Sequence, residues 1–186
     1  MLEVGCGGGE LAHALAAAGY DVLAIDPRAP VGPLFRQLTL EELDDPGPFD
    51  AAVAARVLHH VEPLGPAVEK LARLAPRLVV DEFAWELIDR PTQEWYEGEH
   101  RRLAEAGREP KGPSDLDDWR EKHAGLHPSD AVRSALAARF EERSFEPRPY
   151  FWHWLGRETF TQEQALIDEG AIRAIGYRCV MWRRRS

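Results

Sequence analysis

Gly5, Gly7 and Gly9 alternate along a short loop bordered by two carboxylates, Glu3 before it and Glu10 behind it, in a chain of 186 residues. Glycine lets a backbone turn sharply and approach a ligand closely. With Gly8 the loop has more glycine than a plain strand-to-helix turn requires, so it is read as a ligand cradle. A dinucleotide loop of the form G-x-G-x-x-G sets a pyrophosphate over the helix N-terminus. Here Glu10 follows the third glycine directly, and a carboxylate at that helix end repels phosphate. A cofactor that carries a sulfonium cation and no phosphate suits Glu3 and Glu10 better. Asp26, closing the second predicted strand, can accept hydrogen bonds from ribose hydroxyls. Nicotinamide sites use the same acid, so an NAD-dependent oxidoreductase stays as an alternative that the glycine spacing argues against.

Acid–base candidates are few. His59 and His60 follow the fourth predicted strand, and Asp81 and Glu82 close the fifth, both at the edge where α/β sheets bind ligands. His59, His60 and Glu82 are the catalytic candidates, weighed against packing, helix-entry and capping roles. His123 and His127 have i, i+4 spacing, but Gly125 and Pro128 interrupt the helix and no Cys or acidic ligand accompanies them, so no metal site is expected. Tyr150-Phe151-Trp152-His153-Trp154 could wall an apolar pocket, although packing inserted helices is the favoured role. Glu97, Glu99, Arg101 and Arg102 read as a solvated helix face.

The elements that must hold these residues alternate strand and helix. Strands are predicted at 2–4, 21–25, 34–38, 51–55 and 77–83, with a helix over 10–18 that places Leu11 and Leu15 on one face and stops at Gly19. A second helix carries Leu64, Val68, Leu71 and Ala75 on one side, with Pro63 and Pro66 in its first turn. Strand, helix, strand in this order predicts a parallel sheet with right-handed crossovers. From Trp85 the chain becomes polar yet aromatic, with helices expected over 93–106, 115–123 and 130–139 and a Gly/Pro-rich linker over 107–113. A strand over 140–146, a capping box at Thr161 to Gln164 and a last strand over 177–182 complete the pattern. The expectation is a single domain over 1–186 with an inserted helical cap at about 85–139.

Leu2-Glu3-Val4-Gly5-Cys6-Gly7-Gly8-Gly9 resembles the first motif of class I S-adenosylmethionine-dependent methyltransferases. Ala24-Ile25-Asp26 resembles their second-strand motif, and Phe49-Asp50-Ala51-Ala52-Val53 with Val57-Leu58-His59-His60-Val61 resembles their fourth strand and the turn after it. The resemblance is specific from Met1 to about Phe83 and fainter over 140–182. It implies an α/β, Rossmann-like, mostly parallel seven-stranded sheet with helices on both faces and an antiparallel last strand, supplied by Tyr177 to Trp182. It also implies S-adenosylmethionine as cofactor, with Glu3, Gly5, Gly7, Gly9, Asp26 and Arg56 as its site. The glycines would lie against the amino-acid part, Asp26 would bind the ribose, and the turn around Ala55 and Arg56 would line the crevice. Thr39 to Glu41 would approach the adenine, without the family's usual acidic residue in an obvious place. Family members carry residues before the first motif that complete the first strand and a cover helix, so a sheet without that N-terminal cover helix is expected here.

The activity implied is methyl transfer to a small-molecule acceptor on O, N or C, an in-line displacement that depends mainly on alignment. A general base is needed only where the acceptor must lose a proton. A non-catalytic or truncated methyltransferase-like protein is the alternative of a different class. A net charge of -9 disfavours nucleic acid and anionic membranes, and the one basic run, Arg183 to Arg185, reads as a solvated tail. Two cysteines, no spanning apolar run and no secretory leader suggest a reduced, cytoplasmic setting. Oligomeric state is not legible.

Overall fold

Short strands rich in Ala, Val, Leu and Ile are buried on both faces, the composition of a parallel sheet covered by helices. In the computed structural model, which describes residues 1–44 and 47–184, seven strands form one sheet: β1 (Leu2–Val4), β2 (Leu23–Ile25), β3 (Phe35–Arg36), β4 (Ala52–Ala55), β5 (Arg77–Phe83), β6 (Phe140–Arg148) and β7 (Gly176–Arg183). Their order is β3-β2-β1-β4-β5-β7-β6. The first five are parallel, with Val4 opposite Ile25 on one side and Ala54 on the other. β7 runs against β5: Arg183 N–H donates to Pro76 and Ala84 N–H to Ile175, so partner numbers fall as the strand advances. The sheet order reverses direction beside β1, and ligands bind at such a switch point outside the carboxyl ends of the strands.

The chain divides into two compact units. The first comprises Met1–Glu82, Ser129–Phe145 and the chain from Arg178. In it α1 (Glu10–Ala17) buries Ala12 with Cys6, Val22, Ala24, Ala29 and Phe35. Leu15 is only partly buried and Leu11 is 37% exposed, so α1 packs through a small residue and not through the Leu11/Leu15 face that the spacing predicts. A small side chain lets helix and sheet approach closely beside the loop. α2 (Leu64–Leu74) buries Leu64, Val68 and Leu71 as its spacing demands and packs against α5 (Ser129–Ala137).

The second unit comprises Phe83–Pro128 and Glu146–Tyr177, so the helix over 129–137 belongs to the first unit, whereas a cap spanning 85–139 would have included it. It contains α3 (Arg90–Glu105), α4 (Leu116–Lys122), α6 (Trp152–Leu155) and α7 (Phe160–Asp168). Its core is aromatic: Phe83 stacks on Tyr150 with centroids 4.0 Å apart, and Tyr96, Phe151 and Leu155 join them. The Tyr150–Trp154 cluster therefore packs its own unit. Asp89 caps α3 by accepting from Thr92 N–H, and Asp115 caps α4 by accepting from Asp117 and Asp118. Two sequence expectations fail here. Thr161 lies inside α7, whose N-cap is Thr159 without a side-chain cap bond, and Gln164, the expected partner of Thr161, donates to Asp168 one turn on instead of reaching back, while Glu163 turns inward to accept the backbone N–H groups of Tyr150, Phe151 and Trp152. Glu99 is buried rather than solvated, paired with Arg102, so only part of the α3 charge run faces water.

Candidate functional site

The loop after β1 is fastened to the end of β2 before it reaches α1. Gly5 N–H and Cys6 N–H both donate to the Ile25 carbonyl, at 2.8 and 3.1 Å. Gly5 adopts φ 74°, and a Cβ there would stand 2.6 Å from two carbons of Val57, so the loop after β4 seats directly on a missing side chain. Gly7, at φ 50°, is different: nothing lies within 4 Å of where its Cβ would be, leaving its backbone open to a ligand. Gly9 ends the loop as the N-cap of α1.

Asp26 uses its carboxylate to join loop and strand. Oδ2 accepts from Gly7 N–H at 3.2 Å and Oδ1 from Arg28 N–H at 2.7 Å. Each oxygen retains a lone pair for a ligand hydroxyl. Glu3, on β1, is 2% exposed and its Oε2 has no hydrogen-bond partner among the described residues. Burial, with repulsion from Glu10 added, pushes its carboxyl up to about 7. A cation at the loop would favour the ionised form. Burial also pushes the Cys6 thiol up to about 11, which leaves it unreactive at neutral pH.

The wall opposite the glycine loop follows β4. Arg56 has φ 56°, a left-handed conformation that costs a non-glycine residue roughly 1–2 kcal/mol. Its N–H donates to the Asp81 carbonyl at 2.7 Å. Glu82, 1% exposed at the end of β5, then holds the next three residues: Oε1 accepts from Val57 N–H at 2.8 Å and Leu58 N–H at 2.6 Å, and Oε2 lies 2.5 Å from His59 Nδ1. Residues 58–60 form a single 3-10 turn in which His59 is buried and His60 is exposed.

These pieces enclose a cleft of about 890 Å³ within the first unit. Gly5, Gly7, Asp26, Arg56 and His60 line it. Glu3, Gly9, His59 and Glu82 do not: the first two support the loop from behind, and the buried pair supports the opposite wall. Leu38 to Glu41 form the far end, where adenine is expected, and Lys70 from α2 donates to the Glu41 carbonyl at 2.8 Å. Lys70 was not among the predicted site residues. It looks like any exposed helix lysine in sequence, and only the fold brings it to a loop 29 residues earlier. His123 is engaged with the Trp119 carbonyl at 2.7 Å, and among the described residues no group of three or more His, Cys, Asp or Glu could hold a metal. Arg183 and Arg184 bond the Ala72 and Ala137 carbonyls, not solvent alone, while Arg185 lies outside the described residues. Among the described residues no helix is long and apolar enough to cross a membrane, and Cys6 and Cys179 are buried free thiols.

Comparison with known proteins bears on the family and the fold. A family model described as "Methyltransferase domain" matches residues 1–148. Among curated proteins, the ubiquinone biosynthesis O-methyltransferase of Azorhizobium caulinodans is 38% identical over 79 residues, covering 35% of this chain and 31% of that protein. The chain spans about a third of the length of the curated relatives it matches. Among solved structures, an S-adenosylmethionine-dependent methyltransferase from Mesorhizobium loti superposes with a TM-score of 0.61 at 18% identity, covering 98% of this chain and 90% of that one. Magnesium protoporphyrin IX methyltransferase from Synechocystis PCC 6803, solved with bound S-adenosylmethionine, gives 0.54 at 18% identity, covering 98% and 69%. At such identities the solved structures speak for the fold.

Proposed function

This chain belongs to the methyltransferase domain family, of the class I S-adenosylmethionine-dependent kind, and from that premise we propose that it binds S-adenosylmethionine in the cleft above β1, β2 and β4 and methylates a hydroxyl of a small molecule. The observation that carries the reading is the junction of Gly7 N–H with the Asp26 carboxylate, which places a ligand-accessible backbone beside a hydroxyl acceptor. Asp26 holds the ribose, Gly5 and Gly7 the amino-acid part, and Leu38 to Glu41 the adenine. Glu3 supports cationic charge from beneath the loop. When bound, the cofactor supplies an electrophilic methyl group on a sulfonium that leaves as a neutral thioether.

His60, exposed on the cleft wall, is the residue assigned to take the hydroxyl proton as the oxygen forms its new bond to carbon. The buried His59–Glu82 pair is assigned to positioning. The names of the curated relatives make a hydroxyl acceptor the class to try first. Isothermal titration with S-adenosylhomocysteine and NADH tests the cofactor assignment. Binding of the former alone, weakened at least tenfold in Asp26→Ala, is expected; preference for NADH would sink it. Turnover on a panel of phenolic acceptors then separates an active enzyme from a non-catalytic methyltransferase-like protein.

A further inference from the structure

At the amino-terminal end of β5, Arg73, Arg77, Arg139, Arg183 and Arg184 line an open groove of about 1010 Å³ in the first unit, together with Trp182. This is an unusual concentration of one sign on a chain of net charge -9. Part of it has an internal explanation. Arg183 Nη1 donates to Ala72 O in the last turn of α2 and Arg184 Nε to Ala137 O at the end of α5, so both neutralise helix C-termini. Each helix end carries roughly half a negative charge. One carboxylate lines the groove, Glu69, and it pairs with Arg139. Five guanidiniums against these leave roughly three positive charges over. Arg73 has no ion-pair or hydrogen-bond partner among the described residues.

The guanidiniums are also held in place. Arg77 and Arg143 lie over the Trp182 ring, at 5.8 and 4.9 Å from its centroid, while the backbone bonds above fix Arg183 and Arg184. An arginine held in one orientation loses less freedom when it grips a carboxylate with two parallel hydrogen bonds. Between the arginines the groove offers Ala72, Pro76 and Ala138, an apolar strip suited to aliphatic side chains and not to a phosphodiester. Trp182, although 46% exposed, has its ring approached by those two arginines, which compete with a stacking nucleobase. Charge and apolar strip together favour a peptide over a nucleic acid.

We propose that this groove is a docking surface for an acidic, extended segment of a partner protein, with carboxylates gripped by Arg73, Arg77 and Arg184 and small apolar side chains on Ala72, Pro76 and Ala138. Arg73 and Glu69 line both this groove and the cofactor cleft, so a docked partner would sit beside the cleft along α2. The proposal does not depend on the methyl-transfer reading.

Fluorescence anisotropy on the full chain tests it with three labelled probes: a decapeptide of alternating Glu and Ala, the same peptide with Gln for Glu, and a ten-residue oligothymidylate. Expected are binding of the Glu peptide at 50 mM salt, weakening of about tenfold or more at 0.5 M salt, and a similar loss in Arg77→Glu/Arg184→Glu. If that pair disturbs folding, seen in its thermal melt, Arg77→Gln/Arg184→Gln removes the charge without reversing it and should weaken the Glu peptide several-fold. No binding of the Glu peptide, equal binding of the Gln peptide, insensitivity to both arginine pairs, or tighter binding of the oligonucleotide would each overturn the proposal.

Discussion

Glu82 Oε2 lies 2.5 Å from His59 Nδ1 while Glu82 Oε1 accepts from Val57 and Leu58, so one buried carboxylate holds three consecutive residues of the cleft wall. Glu82→Ala takes the acceptor from the Val57 and Leu58 N–H groups and removes the carboxylate beside His59. Leaving such groups unpaired costs about 3–5 kcal/mol. Urea unfolding should show that loss, and S-adenosylhomocysteine affinity should fall because Arg56, Val57 and His60 line the cleft. Glu82→Gln keeps an oxygen for the two N–H groups and can donate its amide to neutral His59, so it should recover most of both. Equal behaviour of the Ala and Gln variants would contradict the positioning role.

The two glycines at the cradle should respond differently to alanine. At Gly5 the added methyl collides with Val57, so Gly5→Ala must displace the post-β4 wall and should cost stability and binding together. At Gly7 the methyl meets nothing, and the stability cost is only the left-handed conformation, about 1–2 kcal/mol. Its larger effect should be on ligand approach. Denaturant midpoints and titration with S-adenosylhomocysteine, measured side by side, would show Gly7→Ala losing more affinity than its stability change accounts for. Matched losses at the two positions would remove the distinction.

Why the glycine loop was legible and the opposite wall less so follows from sequence distance. Gly5, Gly7, Asp26 and the strands that carry them are short-range features, fixed by the strand–turn–helix pattern, and β5 appears at the predicted bounds of Arg77–Phe83. His59, His60 and Glu82 were legible as polar residues at strand ends, but their division of labour was not. It depends on β4 and β5 pairing in register, Ala55 opposite Asp81, which sets Glu82 beneath the next turn. The same limit explains Glu163. Nothing in its local sequence marks it for burial, and its role appears only when the N–H groups of Tyr150, Phe151 and Trp152, 11 to 13 residues earlier, fold against its carboxylate.

Glu3 gives the cleft a pH dependence with a definite sign. Its carboxyl, ordinarily near 4.5, is held at about 7, so between those values the folded state binds more protons than the unfolded one. Stability contributed by this group therefore falls as pH rises through that window and is level above it. A cofactor cation acts oppositely, because it favours ionised Glu3. S-adenosylmethionine affinity should tighten between pH 6 and 8, more than that of uncharged-sulfur S-adenosylhomocysteine, and Glu3→Gln should flatten the difference. Parallel profiles for the two ligands in the wild-type chain would exclude Glu3 as the source.

Glu163 tests the second unit on its own. It is fully buried, with Oε1 accepting from Tyr150 and Phe151 at 2.7 and 2.9 Å and Oε2 from Trp152 at 2.9 Å. Burial raises its pKa, and the three backbone donors oppose that rise without cancelling it. In Glu163→Gln the amide nitrogen must face one of the three N–H groups, donor against donor, leaving that N–H unsatisfied at about 1–3 kcal/mol. Glu163→Ala removes both acceptor oxygens, takes that partner from all three N–H groups and should cost more, about 3–5 kcal/mol. Hydrogen exchange would localise the effect: amides of Tyr150, Phe151 and Trp152 should lose protection, while those of Val57 and Leu58, held by Glu82 in the first unit, should not. Loss of protection at both places would mean that the two units unfold as one, and that Glu163 stabilises the whole chain.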